Sequence, residues 1–260
     1  MKDDRRFKKP QPEQEENEGL LEGRNALTEA LRSGRTVDKV FIAAGETDRG
    51  LQRLAAMAKE AGAVVVPVDR RKLDAMSTTR AHQGVIAQVA ARAYFSVDDI
   101  LQEAADRGEN ALIVICDELS DPHNLGAIIR SAECAGAHGV IIPKRRSVGL
   151  TAVVAKASAG GVEYMKVARV TNINTTIEEL KEKGVWIFGT AAEGSVPMYK
   201  ADLTVPAAIV IGSEGDGMSR LVREKCDVTV SIPMKGQISS LNASAAASIL
   251  LYEAVRQRLN

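Results

Sequence analysis

Aromatic, cysteine and histidine side chains are scarce in this chain of 260 residues. Aromatic residues make up 3% of it, which argues against base stacking as its main way of contacting nucleic acid. Its three cysteines, Cys116, Cys134 and Cys226, have no CxxC spacing, so we expect reduced structural thiols. The three histidines are equally scattered, and we expect no metal ion.

Long apolar runs are also missing. No run of about 18 apolar residues could cross a membrane, and the hydrophilic N-terminus lacks the apolar segment of a secretory signal. We therefore expect a cytoplasmic protein with no membrane partner.

The charge is balanced overall but unevenly distributed. The formal net charge is zero, whereas residues 19–92 carry 12 Lys and Arg against 8 Asp and Glu, an excess of +4. A phosphate-binding surface that includes Arg70, Arg71, Lys72 and Arg80 would explain this excess, and a solvated surface explains it equally well.

The pattern of apolar residues divides the chain into four parts. Residues 1–18 are charged and contain two prolines, which predicts a disordered tail. Short helices and strands alternate over residues 19–92, which predicts a small α/β domain. The linker, residues 93–109, should contain a helix that begins at Ser96, with Asp99 completing a variant of the capping box. Longer alternation over 110–260 predicts a parallel sheet covered by helices on both faces.

Within the last part, the pattern predicts individual elements. One helix should begin at a second capping box, Thr175-Thr176-Ile177-Glu178. The predicted strands are 111–115, 139–142, 167–170, 185–189, 208–211 and 228–232, and the predicted final helix is 241–259.

Polar and glycine residues are concentrated after three of these predicted strands, in 117–130, 212–217 and 232–244. Ligands of open parallel sheets bind beyond the carboxyl ends of the strands. The three segments therefore predict a shared binding site.

Each segment also has a purely structural interpretation. The glycines of 212–217 match neither a dinucleotide-binding turn nor a P-loop; they would let a ligand approach beside Glu214, or form a simple turn. Arg130, on an otherwise apolar helix, is either functional or part of a structural salt bridge. The Ser240-Leu241-Asn242 cluster is either a binding site or a cap for the final helix.

Together the three segments resemble a known family. They resemble the three motifs of the SpoU-type (TrmH-like) RNA 2′-O-ribose methyltransferases of the SPOUT class. In order along the chain, the residues that carry the resemblance are Asn124-x-Gly126-x-x-x-Arg130, Ile211-Gly212-x-Glu214-Gly215-x-Gly217, and Ile232-Pro233-Met234 with Ser240-Leu241-Asn242-x-Ser244. The resemblance covers residues 19–260. Residues 21–26 and 82–85 are similar to the substrate-binding domain of the RlmB-like rRNA subgroup.

This resemblance implies an α/β fold in two parts. One is a C-terminal parallel-sheet domain with a deep trefoil knot that binds S-adenosyl-L-methionine, and the other is a small N-terminal α/β domain that resembles ribosomal-protein RNA binders. It also implies a homodimer. The implied cofactor-binding residues are Thr190, Ala191, Gly212, Ile232, Met234 and Leu241. The implied catalytic residues are Arg130, Asn124, Glu214, Ser240 and Asn242.

The implied reaction is methylation of a ribose 2′-hydroxyl in ribosomal RNA, at a guanosine of the large subunit. Because arginine stays protonated, we expect Arg130 to hold a phosphate and stabilise alkoxide charge, with Glu214 or water accepting the proton. A transfer RNA substrate and a non-catalytic RNA-binding relative remain alternatives. A nucleotide-dependent α/β enzyme of another class is disfavoured because no Walker or Rossmann signature occurs.

Overall fold

A computed structural model describes residues 19–32, 34–45, 48–77, 79–90, 92–191, 196–215 and 217–259. The predicted tail, residues 1–18, lies outside them. The chain divides into two compact units, one formed by residues up to 91 with 151–153, the other by residues 92–150 and 154–260. No helix among the described residues is long and apolar enough to cross a membrane.

The smaller unit contains a mixed four-stranded sheet, counted over the described residues. Its strands are β1 (Leu20–Glu22), β2 (Val37–Ala43), β3 (Val64–Val68) and β4 (Val85–Val89). Their order is β1-β4-β2-β3; β2 and β3 are parallel, and β4 is antiparallel to both its neighbours. Its helices are α1 (Arg24–Arg32), α2 (Arg49–Glu60) and α3 (Arg70–Met76).

Both faces of this sheet are covered because successive side chains of a strand point to opposite sides. Val85 and Ala87 of β4 pack with Leu27 of α1 and Leu51 of α2. Ile86, between them in sequence, packs with Leu73 of α3.

The larger unit contains a seven-stranded sheet in the part of the chain that the structure describes, and all its strand pairs are parallel. Its strands are β5 (Leu112–Cys116), β6 (Gly139–Pro143), β7 (Val167–Val170), β8 (Trp186–Thr190), β9 (Val196–Pro197), β10 (Ala207–Ile211) and β11 (Val228–Ser231). The strand order is β7-β6-β5-β10-β8-β11-β9. The helices are α4 (Val97–Arg107), α5 (Pro122–Cys134), α6 (Ala152–Ala157, of which the first two residues belong to the smaller unit), α7 (Ile173–Glu182), α8 (Arg220–Lys225) and α9 (Ala243–Arg258).

Helices cover this sheet on two sides, which confirms the predicted architecture. Ile113 and Ile115 of β5 share a buried cluster with Ile100 of α4 and with Ile177 and Leu180 of α7. α9 packs against β10 and α5. The trefoil knot remains a prediction from the family resemblance.

Of the two predicted capping boxes, one is confirmed and one is wrong. At α4, the Asp99 amide donates to Ser96 Oγ at 3.1 Å and the Ser96 amide donates to Asp99 Oδ2 at 2.8 Å. The capping box at Thr175 does not form, because α7 begins at Ile173 and Asn172 is its cap. The earlier start puts Ile173 on the buried face.

Among the described strands and α-helices, three short elements were not predicted: β1, β9 and α8. They contain 3, 2 and 6 residues. Hydrophobic periodicity needs a longer window to show.

His138 joins the beginnings of β5 and β6. Its ring is buried; Nδ1 accepts a hydrogen bond from the Leu112 amide at 3.0 Å, and Nε2 lies 3.0 Å from Glu109 Oε2. Since Nδ1 accepts, Nε2 carries the proton and donates to the carboxylate. Burial lowers the pKa of His138, an effect only partly opposed by Glu109.

This buried imidazole should make stability depend on pH. The folded pKa lies below the unfolded value of about 6.5, so its contribution is complete above that pH and is lost as pH falls. We expect the urea-unfolding free energy to decrease from about pH 7.5 to pH 5.5, and to decrease less in His138→Gln. The exposed His123 provides the control, since His123→Gln should keep the wild-type pH dependence. An unchanged pH dependence in His138→Gln would contradict this assignment.

Candidate active site

Three loops meet beyond the carboxyl edge of the larger sheet. They follow β5, β10 and β11, and β10 lies directly beside β5 in the sheet. These loops are the segments that the sequence predicted to share a site, and side chains from all three are in contact.

Asn124 lies at the centre of this contact, in the first turn of α5. Asp121 caps that helix by accepting the His123 amide at 2.9 Å. The Asn124 side chain is buried; its Nδ2 donates to Glu214, and its Oδ1 accepts from Asn242 Nδ2 at 2.9 Å. A carboxylate can only accept, so the amide of Asn124 must present its nitrogen to Glu214.

Asn242 continues the same chain of hydrogen bonds into α9. Its Oδ1 accepts the amides of Ser244 at 3.0 Å and Ala245 at 3.3 Å, and the Ser244 hydroxyl at 2.6 Å. The helix cap and the site contact are therefore both present in one side chain. We call the connected groups Glu214, Asn124 and Asn242 the amide chain.

Glu214 is held at a tight turn after β10. Ser213 and Gly217 form a pair of backbone hydrogen bonds of 3.0 and 3.2 Å, and Gly217 has φ +68°. A β-carbon on Gly212 would lie 2.2 Å from the Gly217 carbonyl carbon. Glycine is therefore required at 212 for the turn to fold back over the strand end.

Asp117 supports the same turn from β5. It is buried, and its Oδ2 accepts the Ser219 amide at 2.7 Å. Its position directly after a buried strand was the only sequence signal for this role.

Arg130 lies on α5, six residues after Asn124, next to the buried Ile128 and Ile129. Its side chain is exposed and makes neither an ion pair nor a hydrogen bond with any residue that the structure describes. The structural salt bridge, which was the alternative interpretation, therefore has no support within the described residues. Arg130 is not bonded to the amide chain.

A cavity of about 780 Å³ opens beside the amide chain. This volume is within the range of small-molecule sites. Glu214 and Ser240 line it, as do all six residues implied to bind the cofactor, namely Thr190, Ala191, Gly212, Ile232, Met234 and Leu241. Met234 and Leu241 are apolar yet 38% and 39% exposed, so a ligand in the cavity could cover them.

Sequence reasoning missed one charged residue of this cavity. Arg223 lines it from α8, a helix that was itself not predicted. Among the described residues, no group of three or more His, Cys, Asp or Glu side chains could hold a metal ion.

Comparison with known proteins shows the family of this chain. The model of the SpoU rRNA methylase family matches residues 111–252, and that for RNA 2′-O ribose methyltransferase substrate binding matches residues 20–95. YacO of Bacillus subtilis, named as a TrmH family tRNA/rRNA methyltransferase, is 49% identical over 91% of this chain and 94% of its own. A Staphylococcus haemolyticus relative with the same family name is 46% identical over 92% and 96%.

Solved structures resemble the chain over nearly its whole length. The SpoU methyltransferase AviRb of Streptomyces viridochromogenes, in complex with the cofactor AdoMet, has a TM-score of 0.59 and 28% identity, covering 92% of this chain and 90% of its own. An AdoMet-bound rRNA methyltransferase from Sinorhizobium meliloti has a TM-score of 0.60 and 26% identity, covering 95% and 90%. The chain therefore belongs to the SpoU family of S-adenosylmethionine-dependent RNA methyltransferases.

Two glycines of the Glu214 turn provide a matched test of the cavity. Gly212→Ala should open the turn, because its β-carbon would overlap the backbone of Gly217. We expect S-adenosylmethionine affinity, measured by calorimetry, to fall at least about tenfold, equivalent to 1.4 kcal/mol. A β-carbon on Gly215, which also lines the cavity, meets no protein atom within 4 Å, so Gly215→Ala should leave the turn closed and bind more tightly than Gly212→Ala. Equal affinity of the two variants would contradict this account of the turn.

Proposed function

We propose that this protein transfers the methyl group of S-adenosylmethionine to a ribose 2′-hydroxyl of ribosomal RNA, and that the target is a guanosine of the large subunit. One observation carries the proposal. The amide chain joins the three motif segments beside a cavity that all six implied cofactor-binding residues line.

The cavity suits the cofactor chemically. Because Gly212 and Ala191 have small side chains or none, their backbone groups are accessible to a ligand. Ile232, Met234 and Leu241 provide an apolar surface. When bound, S-adenosylmethionine supplies an electrophilic methyl group on a sulfonium. The protein must then hold the ribose hydroxyl in line and remove its proton.

Glu214 is our candidate for the proton acceptor. Its carboxylate lines the cavity and is oriented by Asn124. Asn124 and Asn242 do not line the cavity, so we assign them as positioning residues that act through Glu214. The exposed Ser240 hydroxyl, on the cavity wall, is available to hydrogen-bond the substrate.

Arg130 is our candidate for holding the RNA phosphate. An arginine remains protonated in proteins, and its planar fork matches phosphate oxygens. The exposed guanidinium, with no partner among the described residues, is available for that contact. Once bound, it would also stabilise the alkoxide charge that develops on the ribose.

We further propose a division of labour along the chain. Residues 19–92 would bind the RNA, and 110–260 would bind the cofactor in a knotted domain. Residues 93–109 would connect these two parts through α4, which packs on the larger sheet. A homodimer is proposed from the family resemblance. It is supported by apolar side chains that α9 and the residue after it expose, since Tyr252 is 51% and Leu259 is 82% exposed.

A methyl-transfer assay tests the proposed function. The full chain is incubated with methyl-labelled S-adenosylmethionine and, separately, with deproteinised large-subunit rRNA, small-subunit rRNA or bulk tRNA, and the RNA is digested to nucleosides. We expect label in 2′-O-methylguanosine from large-subunit rRNA. Label only in tRNA would favour the transfer RNA alternative, label on a base would contradict ribose methylation, and no label would favour a non-catalytic RNA binder.

Arg130→Ala is the catalytic variant in this assay. We expect the single-turnover rate to fall at least about 100-fold, the size of effect seen when one charge-stabilising donor is removed, with cofactor affinity unchanged. The control is Arg107→Ala, which removes an exposed arginine that pairs with Glu103 on α4. Normal turnover by Arg130→Ala would remove Arg130 from the mechanism.

A further inference from the structure

We infer that the loop between α3 and β4, which the structure describes at residue 77 and residues 79–84, presents Arg80 to the phosphate backbone of the RNA substrate. This inference rests on the proposed function, which makes RNA the substrate. It concerns the smaller unit alone and names the side chain through which that unit makes phosphate contact.

The loop contains two residues in an unfavourable backbone conformation. Arg80 has φ +56° and Gln83 has φ +51°, in the left-handed region that side chains rarely adopt. Such residues persist only where the surrounding structure holds them in place, and they are concentrated at functional sites.

Glu22 holds the first half of the loop. Its Oε2 accepts hydrogen bonds from the hydroxyls of Ser77 and Thr79, each at 2.5 Å. Ser77 Oγ in turn accepts the amide of Arg80 at 2.8 Å. A carboxylate 55 residues away in sequence from Ser77 thus fixes the backbone at Arg80.

The second half is held by His82 and Arg24. The His82 ring is buried; Nδ1 accepts the Gly84 amide at 3.0 Å, and Nε2 lies 2.9 Å from Asp74. The carbonyl and side-chain oxygens of Gln83 accept Arg24 Nε at 3.1 Å and the Arg24 amide at 3.2 Å. The loop is therefore fixed to both β1 and the start of α1.

All these contacts leave the Arg80 side chain in solvent. It is exposed and makes neither a hydrogen bond nor an ion pair with the residues that the structure describes. No contact of the Arg80 side chain with the described residues offsets the cost of this left-handed backbone. A phosphate bound to the guanidinium would explain why the conformation is kept. An arginine fork suits a phosphate in two-point contact.

The charge of the smaller unit as a whole favours a polyanion, and the three carboxylates near the loop, Glu22, Asp48 and Asp74, already have partners within that unit. The exposed Arg49 begins α2 next to Asp48, which pairs with Arg24 at 2.9 Å, so further arginines lie near the start of α1. Residues 19–92 carry 12 basic against 8 acidic residues. A basic surface of this kind contributes sequence-independent attraction to nucleic acid.

The test is Arg80→Gly, which removes the charge and also relieves the left-handed backbone. The probe is deproteinised large-subunit rRNA, in equilibrium binding at several salt concentrations from about 50 to 200 mM. We expect affinity to fall about three- to tenfold and the slope of log affinity against log salt to decrease by about 1. The melting temperature should stay the same or rise, because glycine adopts this conformation freely.

Arg35→Ala is the matched control. Arg35 is also an exposed arginine, but it precedes β2. The loop lies at the other end of that strand, where the Ala43 amide donates to the Gly84 carbonyl. Its removal should leave RNA affinity and salt slope at wild-type values. Arg80→Lys keeps the charge and should retain most of the salt slope.

The outcomes separate this inference from the proposed function. If the wild type binds and methylates RNA but Arg80→Gly has the same affinity and slope, the inference is wrong and the proposed function stands. If Arg80→Gly loses affinity together with melting temperature, the loop is structural and the inference is also wrong. If the wild type neither binds nor methylates any of the RNAs, both are overturned.

Discussion

The buried amide of Asn124 is the contact on which the arrangement of the site depends. It joins Glu214, 90 residues further along the chain, to Asn242, 118 residues further along. Both ends of the Asn124 side-chain amide are hydrogen-bonded, and its orientation is fixed. Its nitrogen must face Glu214, because a carboxylate can only accept. Its oxygen must face the Asn242 nitrogen, because the Asn242 oxygen already accepts from the α9 amides. A buried polar group without its partner would be costly, so each loop position constrains the other two.

The parallel sheet makes this contact possible. Because β10 lies between β5 and β8, the loops that follow β5 and β10 leave the same edge side by side. The polar residues of the site are of two kinds. Asn124 is buried and its hydrogen bonds hold the loops in place, whereas Arg130 and Ser240 are exposed and available to a ligand. The smaller unit shows the same arrangement, since Glu22 and His82 are committed to a loop whose Arg80 is exposed.

Local patterns predicted much of the fold. The strand over 167–170 was predicted to the residue, because the short apolar run there ends at a clear turn signal. The order of the strands was beyond sequence reasoning, since the pairing of β10 with β5 joins segments about 95 residues apart and has no local signature. The start of α7 was wrong because two capping residues compete within four positions, and burial of Ile173 decides between them. The three site segments were predicted, but not the bond from Asn124 to Asn242 or the left-handed backbone of Arg80.

A double-mutant cycle between Asn124 and Asn242 tests the central claim most directly. Asn124→Ala, Asn242→Ala and the double variant are compared by urea unfolding, and the cycle cancels the loss of the α9 cap, which Asn242→Ala causes on its own. If the amide chain joins the loops as described, the coupling free energy should be at least about 1 kcal/mol. Additive effects, with coupling below about 0.3 kcal/mol, would contradict it.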